Sequence, residues 1–286
     1  MKKAMSFLKN AGLVICLLCV TIELSATKLT DALKNGTVTL KANAHEGKNI
    51  NLILMNLQAA TQEIEIEPGT ILTSGDAGVQ QAMLVQRKVV ELPPNGTLAT
   101  SAYGMCINAK RSGFFGQDLN WHAEAEDKLK EVATFVAAHQ LFDETGQKAV
   151  WVVSDNHDLS GIHHEDADVM LNTRQYLSAL TGKPVPWYVK HYASAEFESC
   201  SGPVFSDEVA SIEGNMEFYL RTNGALTFGI YNERGDLVQL FFSGRGTNPG
   251  EYSCDFTLEA TNLKKGKYYA RVWNDGNLVK QREIEI

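Results

Sequence analysis

Short runs of alternating apolar residues, each closed by a turn signal, limit what this chain can fold into more than any other feature. Thr37-Val38-Thr39-Leu40, residues 50–57 and Ile64-Glu65-Ile66-Glu67 alternate with the period of two that turns one strand face toward a core. Asn35-Gly36, Glu46-Gly47, Pro68-Gly69, Ser74-Gly75-Asp76 and Pro93-Pro94-Asn95-Gly96 punctuate them. Gly and Asn supply the positive φ of tight turns, and Pro presets the corner. From about Val204 the pattern returns in 216–220, 226–231, 237–242, 252–258, 268–273 and 278–286. Asp275-Gly276 between two such runs is the strongest short-range hairpin signal in the chain.

Between these β-rich stretches the period changes. Across 123–141, Leu129, Val132, Val136 and His139 recur at steps of three and four, the spacing of one helical face. His139 on that face reads as a core histidine. Residues 165–180 read as a second helix, with acidic residues in its first turn and Gly182 as its stop. Val150-Trp151-Val152-Val153 fits a buried strand or the middle of a helix, and periodicity does not choose between them.

The expected architecture is mainly β with a helical segment. It places an N-terminal β-sandwich or barrel with a small α subdomain over 27–192, a linker over 193–203 and an immunoglobulin-like β-sandwich over 204–286. Lys2, Lys3 and Lys9 precede an apolar run over 11–22 that Glu23 ends, the layout of a signal peptide over 1–26. The run is too short for a membrane anchor, which needs about 20 apolar residues. The expected destination is therefore outside the cytoplasm: secreted, periplasmic or at the cell surface, with no membrane insertion once the leader is removed. A formal net charge of −8 argues against a nucleic-acid partner, because phosphate binding needs a concentrated basic field.

That compartment makes the cysteines informative. Cys16 and Cys19 fall inside the leader, and Cys200 and Cys254 at the last β-rich segment suit one bridge. Cys106, in Tyr103-Gly104-Met105-Cys106-Ile107-Asn108, is left as an odd thiol in an exported chain. Downstream stands Gly146-Gln147-Lys148-Ala149-Val150-Trp151. The stretch 146–156 resembles the Gln-containing motif of the thioester domains of bacterial surface adhesins (the TQXA type), with Cys106 as the other half. The resemblance implies that the Cys106 thiol and the Gln147 carboxamide condense with loss of ammonia, leaving an acyl group that an amine on a partner can capture. A thiol is a suitable nucleophile for such chemistry, and Phe114, Phe115, Trp121 and Trp151 would shelter the product from water. Gly146 stands where that family has Thr. The competing reading makes Cys106 a small buried hydrophobe and has Gln147 cap a turn.

A second polar cluster, His157, Asp158, His163, His164, Glu165, Asp166 and Asp168, has the side-chain types of a metal site but no ligand spacing such as His-Glu-Xaa-Xaa-His. Polar residues ahead of a helix also serve as its cap. Nucleophile-elbow, phosphate-loop and dinucleotide motifs are absent from the sequence. At the C-terminal end, 228–235, 263–272 and 280–286 resemble the sorting domains of the type IX secretion route and the immunoglobulin-like module of flagellar hook-capping proteins. The resemblance implies an address or a spacer there.

The expectation is a non-enzymatic, adhesin-like interaction protein without cofactor or metal, binding an extracellular protein or glycan surface through the Cys106, Gln147 and Trp151 region. A metal-dependent hydrolase built on 157–168 and a purely structural envelope protein are the alternatives.

Overall fold

The computed structural model describes residues 26–44, 49–114, 116–193 and 205–286. The expected signal peptide, Ala26 excepted, and residues 194–203 of the expected linker lie outside them, as do Cys200 and Phe115.

The fold is mainly β, as the alternating pattern requires. Its first part contains β1 (Thr27–Lys28), α1 (Leu29–Lys34), β2 (Val38–Asn43), β3 (Asn49–Asn56), β4 (Gln62–Ile66), β5 (Thr70–Thr73), β6 (Gln81–Leu84), β7 (Lys88–Leu92), β8 (Thr97–Ile107) and β9 (Asp118–Glu124). Six of these strands close a barrel in the order β2-β3-β8-β6-β5-β9, and β1-β4-β7 form a small side sheet. The eleven-residue β8 makes closure possible. Its first half pairs with β3, from Met55↔Thr97 to Asn49↔Tyr103, and its second half pairs with β6, from Leu84↔Gly104 to Gln81↔Ile107.

The period of two along β8 also separates two cores. Ala102 and Cys106 face the barrel interior with Leu52, Leu54, Leu84 and Phe114. Met105 and Ile107 face outward into a second apolar cluster shared with three helices, α2 (Asp127–Ala138), α3 (Glu144–Ser154) and α4 (Ala167–Thr181). The apolar run 150–153 is thus the body of α3, started by Asp143, whose side chain accepts from Gly146 N. Helix α4 is capped by Asp166 and stops at Gly182, at φ +80°, as the sequence implied. The helix expected from 123 begins only at Asp127, because Asp118–Glu124 is needed to close the barrel against β2 and β5. His139 is not in a core. It ends α2 in an exposed position, its ring against Phe135.

The remaining strands are β10 (Tyr188–Tyr192), β11 (Val209–Leu220), β12 (Gly224–Asn232), β13 (Leu237–Thr247), β14 (Gly250–Glu259), β15 (Lys267–Asn274) and β16 (Asn277–Glu285). They form two antiparallel sheets, β10-β11-β14 and β13-β12-β15-β16, packed around Ile212, Met216, Phe228, Ile230, Phe256 and Val272. Two sheets of three and four strands make an immunoglobulin-type sandwich. Strand β10 precedes the stretch read as a linker and pairs with β11 beyond it, so the sandwich takes its edge strand from the segment next to the helices. No helix among the described residues is long and apolar enough to cross a membrane.

Candidate functional site

Cys106 and Gln147 lie 41 residues apart in sequence and meet in the fold. The reason begins with β8. Beyond Tyr103 its edge has no further described pairing with β3, so the main chain at Cys106 needs partners from elsewhere. Gln147, in the first turn of α3, supplies both. Its Oε1 accepts from Cys106 N at 2.9 Å, and its Nε2 donates to Cys106 O at 2.8 Å. A primary carboxamide carries one acceptor and two donors on adjacent atoms, so it can stand in for the peptide group of a missing strand. Both residues are 3 % exposed.

Position 146 determines whether this seat can form. A Cβ on Gly146 would sit 1.8 Å from Leu141 O and 3.2 Å from Met105 Cε. The absence of a side chain there lets the helix start press against β8. Thr145, one residue earlier, is buried and donates from Oγ1 to His163 O at 2.7 Å.

Trp151 follows Gln147 by one helical turn and therefore shares its face of α3. It is 4 % exposed and packs in the same core as Cys106 and Phe114, with Trp121 partly buried at the margin. A second contact fastens the far end of the helix. Asp155 ends α3, and its Oδ1 accepts from Ala109 N at 2.8 Å while its Oδ2 accepts from Ser154 Oγ at 2.6 Å. Beyond it, a cavity of about 440 Å³ is lined by Lys110, Asp155, His157, Lys190, Tyr192 and Phe205, among others. Chemically, the seam holds a thiol-bearing residue and a carboxamide together in apolar surroundings. Cys106 meets the carboxamide through its main-chain N–H and C=O, while its side chain lies with the barrel core.

The histidine and carboxylate stretch is used differently. Asp158 caps the 3₁₀ turn Leu159–Gly161 and pairs with Lys190 at 2.6 Å. Burial opposes its ionisation, yet the hydrogen bond and charge of Lys190 outweigh burial and leave its pKa below the ordinary value. Asp166 caps α4, and its own N–H donates to His164 Nδ1. His157 packs on Phe205 at 3.9 Å between centroids, and burial lowers its pKa. His163 meets the ring of His191 at 5.5 Å; burial first, and then the charge of His191, lower its pKa. Among the described residues no group of three His, Cys, Asp or Glu is placed to hold a metal ion. Cys254 lies half-buried on β14, opposite Met216, and burial raises its thiol pKa. Cys200, with which it was expected to pair, lies outside the described residues.

Asp155 was not apparent from sequence, because its partner is a main-chain N–H that leaves no residue signature. Gly146 carried a weak signal, as a glycine inside a helical pattern. No protein-family model matches the chain, and a comparison with curated proteins returns no match.

Proposed function

We propose that this is an exported, non-enzymatic interaction protein of adhesin type, in which Cys106 and Gln147 form an internal thioester for covalent attachment to a partner. The single observation that carries the reading is the seating of the buried Gln147 carboxamide on the Cys106 main chain by two hydrogen bonds, with Trp151 and Phe114 in the same core as Cys106. In the reaction, Cys106 Sγ adds to Gln147 Cδ. The C–N bond breaks, and the thiol proton leaves with the amide nitrogen as ammonia. A primary amine on the partner then adds to the acyl carbon. An amide forms, the C–S bond breaks, and the amine proton returns to sulfur. Apolar burial keeps water from competing for the acyl group. The partner is an extracellular protein or glycan surface bearing an accessible amine, and the C-terminal sandwich serves as a sorting address or a spacer.

Intact mass of the mature protein, purified without added amines, tests this directly. The expected mass is short by one ammonia, and methylamine adds at Gln147 while releasing a Cys106 thiol that iodoacetamide then labels. A full mass with no methylamine uptake rejects the thioester and leaves Gln147 as a clamp on the β8 edge.

A further inference from the structure

We propose that Asp155 is a positioning residue for the Cys106–Gln147 reaction, holding α3 on β8 at the moment when Gln147 can no longer do so. This rests on the thioester reading above. Before reaction two side chains fasten the seam: Gln147 to both main-chain groups of Cys106, and Asp155 to Ala109 N. The contacts run in the same direction along both segments, Cys106 on β8 then Ala109 just past its end, and Gln147 on α3 then Asp155 at its C-cap. Together they fix the register of helix against strand.

Gln147 is both fastener and reactant. When its Cδ bonds to Cys106 Sγ, the amide nitrogen leaves as ammonia with the thiol proton. The donor that held Cys106 O is then gone. The Asp155 carboxylate is untouched by the chemistry, and its bond to Ala109 N, backed by the Ser154 hydroxyl, still fastens the end of α3 just beyond the end of β8. Asp155 also lines the 440 Å³ cavity.

The test uses the mature full-length protein and three substitutions. Asp155→Asn keeps an oxygen for Ala109 N and is expected to condense and capture methylamine as wild type does. Asp155→Ala removes the acceptor, and Asp155→Glu keeps the charge but adds a methylene that shifts the helix. Both are expected to show an incomplete loss of ammonia and slower methylamine uptake, by about a hundredfold if the reacting atoms separate by about 1 Å. Far-ultraviolet circular dichroism identifies variants that remain folded, and Asp155→Glu serves if the alanine variant does not. Wild-type capture by folded Asp155→Ala or Asp155→Glu overturns the proposal, as does an asparagine variant as slow as alanine.

Should wild type itself keep its ammonia, the thioester reading fails separately. The seam is then judged by denaturation of Gln147→Ala, Asp155→Ala and the double variant. Non-additive losses support joint positioning, and additive losses overturn it.

Discussion

The barrel with its helices and the C-terminal sandwich are both β-rich, yet they are held together by different means. Of the twelve buried polar or charged side chains among the described residues, ten precede β10, and only Lys190 and Asn274 belong to the sandwich. In the first region many of these complete the main chain. Gln147 serves β8, Asn56 donates to the carbonyls of Ala60, Leu92 and Pro93, and Glu67 accepts from Leu29 N and Thr30 N at the start of α1. Arg174, whose pKa burial lowers to about 10, gathers the carbonyls of Ser160, Ile162 and Pro186. In the sandwich the ladders are mostly self-sufficient, and interdigitated apolar residues fill the space. A buried polar group loses free energy when left unbonded, so the bonded ones favour one arrangement. The first region is therefore the one built for a particular geometry.

If that contrast is right, the two regions should fail in different ways. The largest effect belongs to the sandwich. Phe228 is fully buried and packs against Phe241, Phe242 and Phe256. Phe228→Ala is expected to cost about 4 kcal/mol by leaving a cavity. Hydrogen exchange should then show lost protection in β11 to β16 while the barrel strands stay protected. Equal loss in both regions would mean that they unfold as one unit.

In the barrel region a single added methyl should matter nearly as much. Gly146→Ala drives Cβ into the Leu141 carbonyl, and the shift needed to relieve the overlap is expected to cost about 3 kcal/mol. Because the same shift lifts Gln147 from Cys106, methylamine capture should disappear with it. A variant of full stability with intact capture would show that the helix start has slack to spare.

Gln147→Ala comes next. It removes both hydrogen bonds that the Gln147 carboxamide makes to the Cys106 main chain, at an expected cost of about 2 kcal/mol in chemical denaturation. Gln147→Glu should do no better, since a carboxylate restores the acceptor but opposes the Cys106 carbonyl. A glutamate variant as stable as wild type would refute the two-bond seat.

These contacts also mark where sequence reading stops. The sandwich strands were legible because their apolar alternation and turn dipeptides are local. Asp275 and Gly276, both at positive φ, make the β15–β16 turn that Asp-Gly announced. Barrel closure was not legible. It depends on β8 serving two neighbours in succession and on β9 returning to β2, and neither pairing leaves a local pattern. Helix α1, six residues long, is too short for periodicity to detect and owes its start to Glu67, 37 or 38 positions away. The run 150–153 became a helix through its tertiary setting. Cys106 and Gln147 could be picked out as a pair by their resemblance to a reactive motif. What sequence lacked was the manner of their contact, carboxamide to main chain, because a strand's own N–H and C=O are the same at every residue.

The smallest predicted effect sharpens the comparison through pH. Glu124, at the end of β9, is bridged by Lys130 and by Lys34, tying α2 and α1 to the barrel. The hydrogen bonds from Lys130 and then Lys34 lower its pKa from 4.5 to about 2. A carboxylate with a depressed folded pKa adds stability that is complete above its unfolded value and lost as pH falls through the folded one. The contribution should therefore fade between pH 4.5 and about 2. The sandwich pair Lys267–Glu283 has both side chains about half exposed, and exposed pairs contribute little. Barrel amides should thus lose protection before sandwich amides as acid is added. Glu124→Gln should narrow the difference, and added salt should shrink it further. Parallel loss in wild type, unchanged by the substitution, would mean that the bridge at Glu124 does not distinguish the two regions.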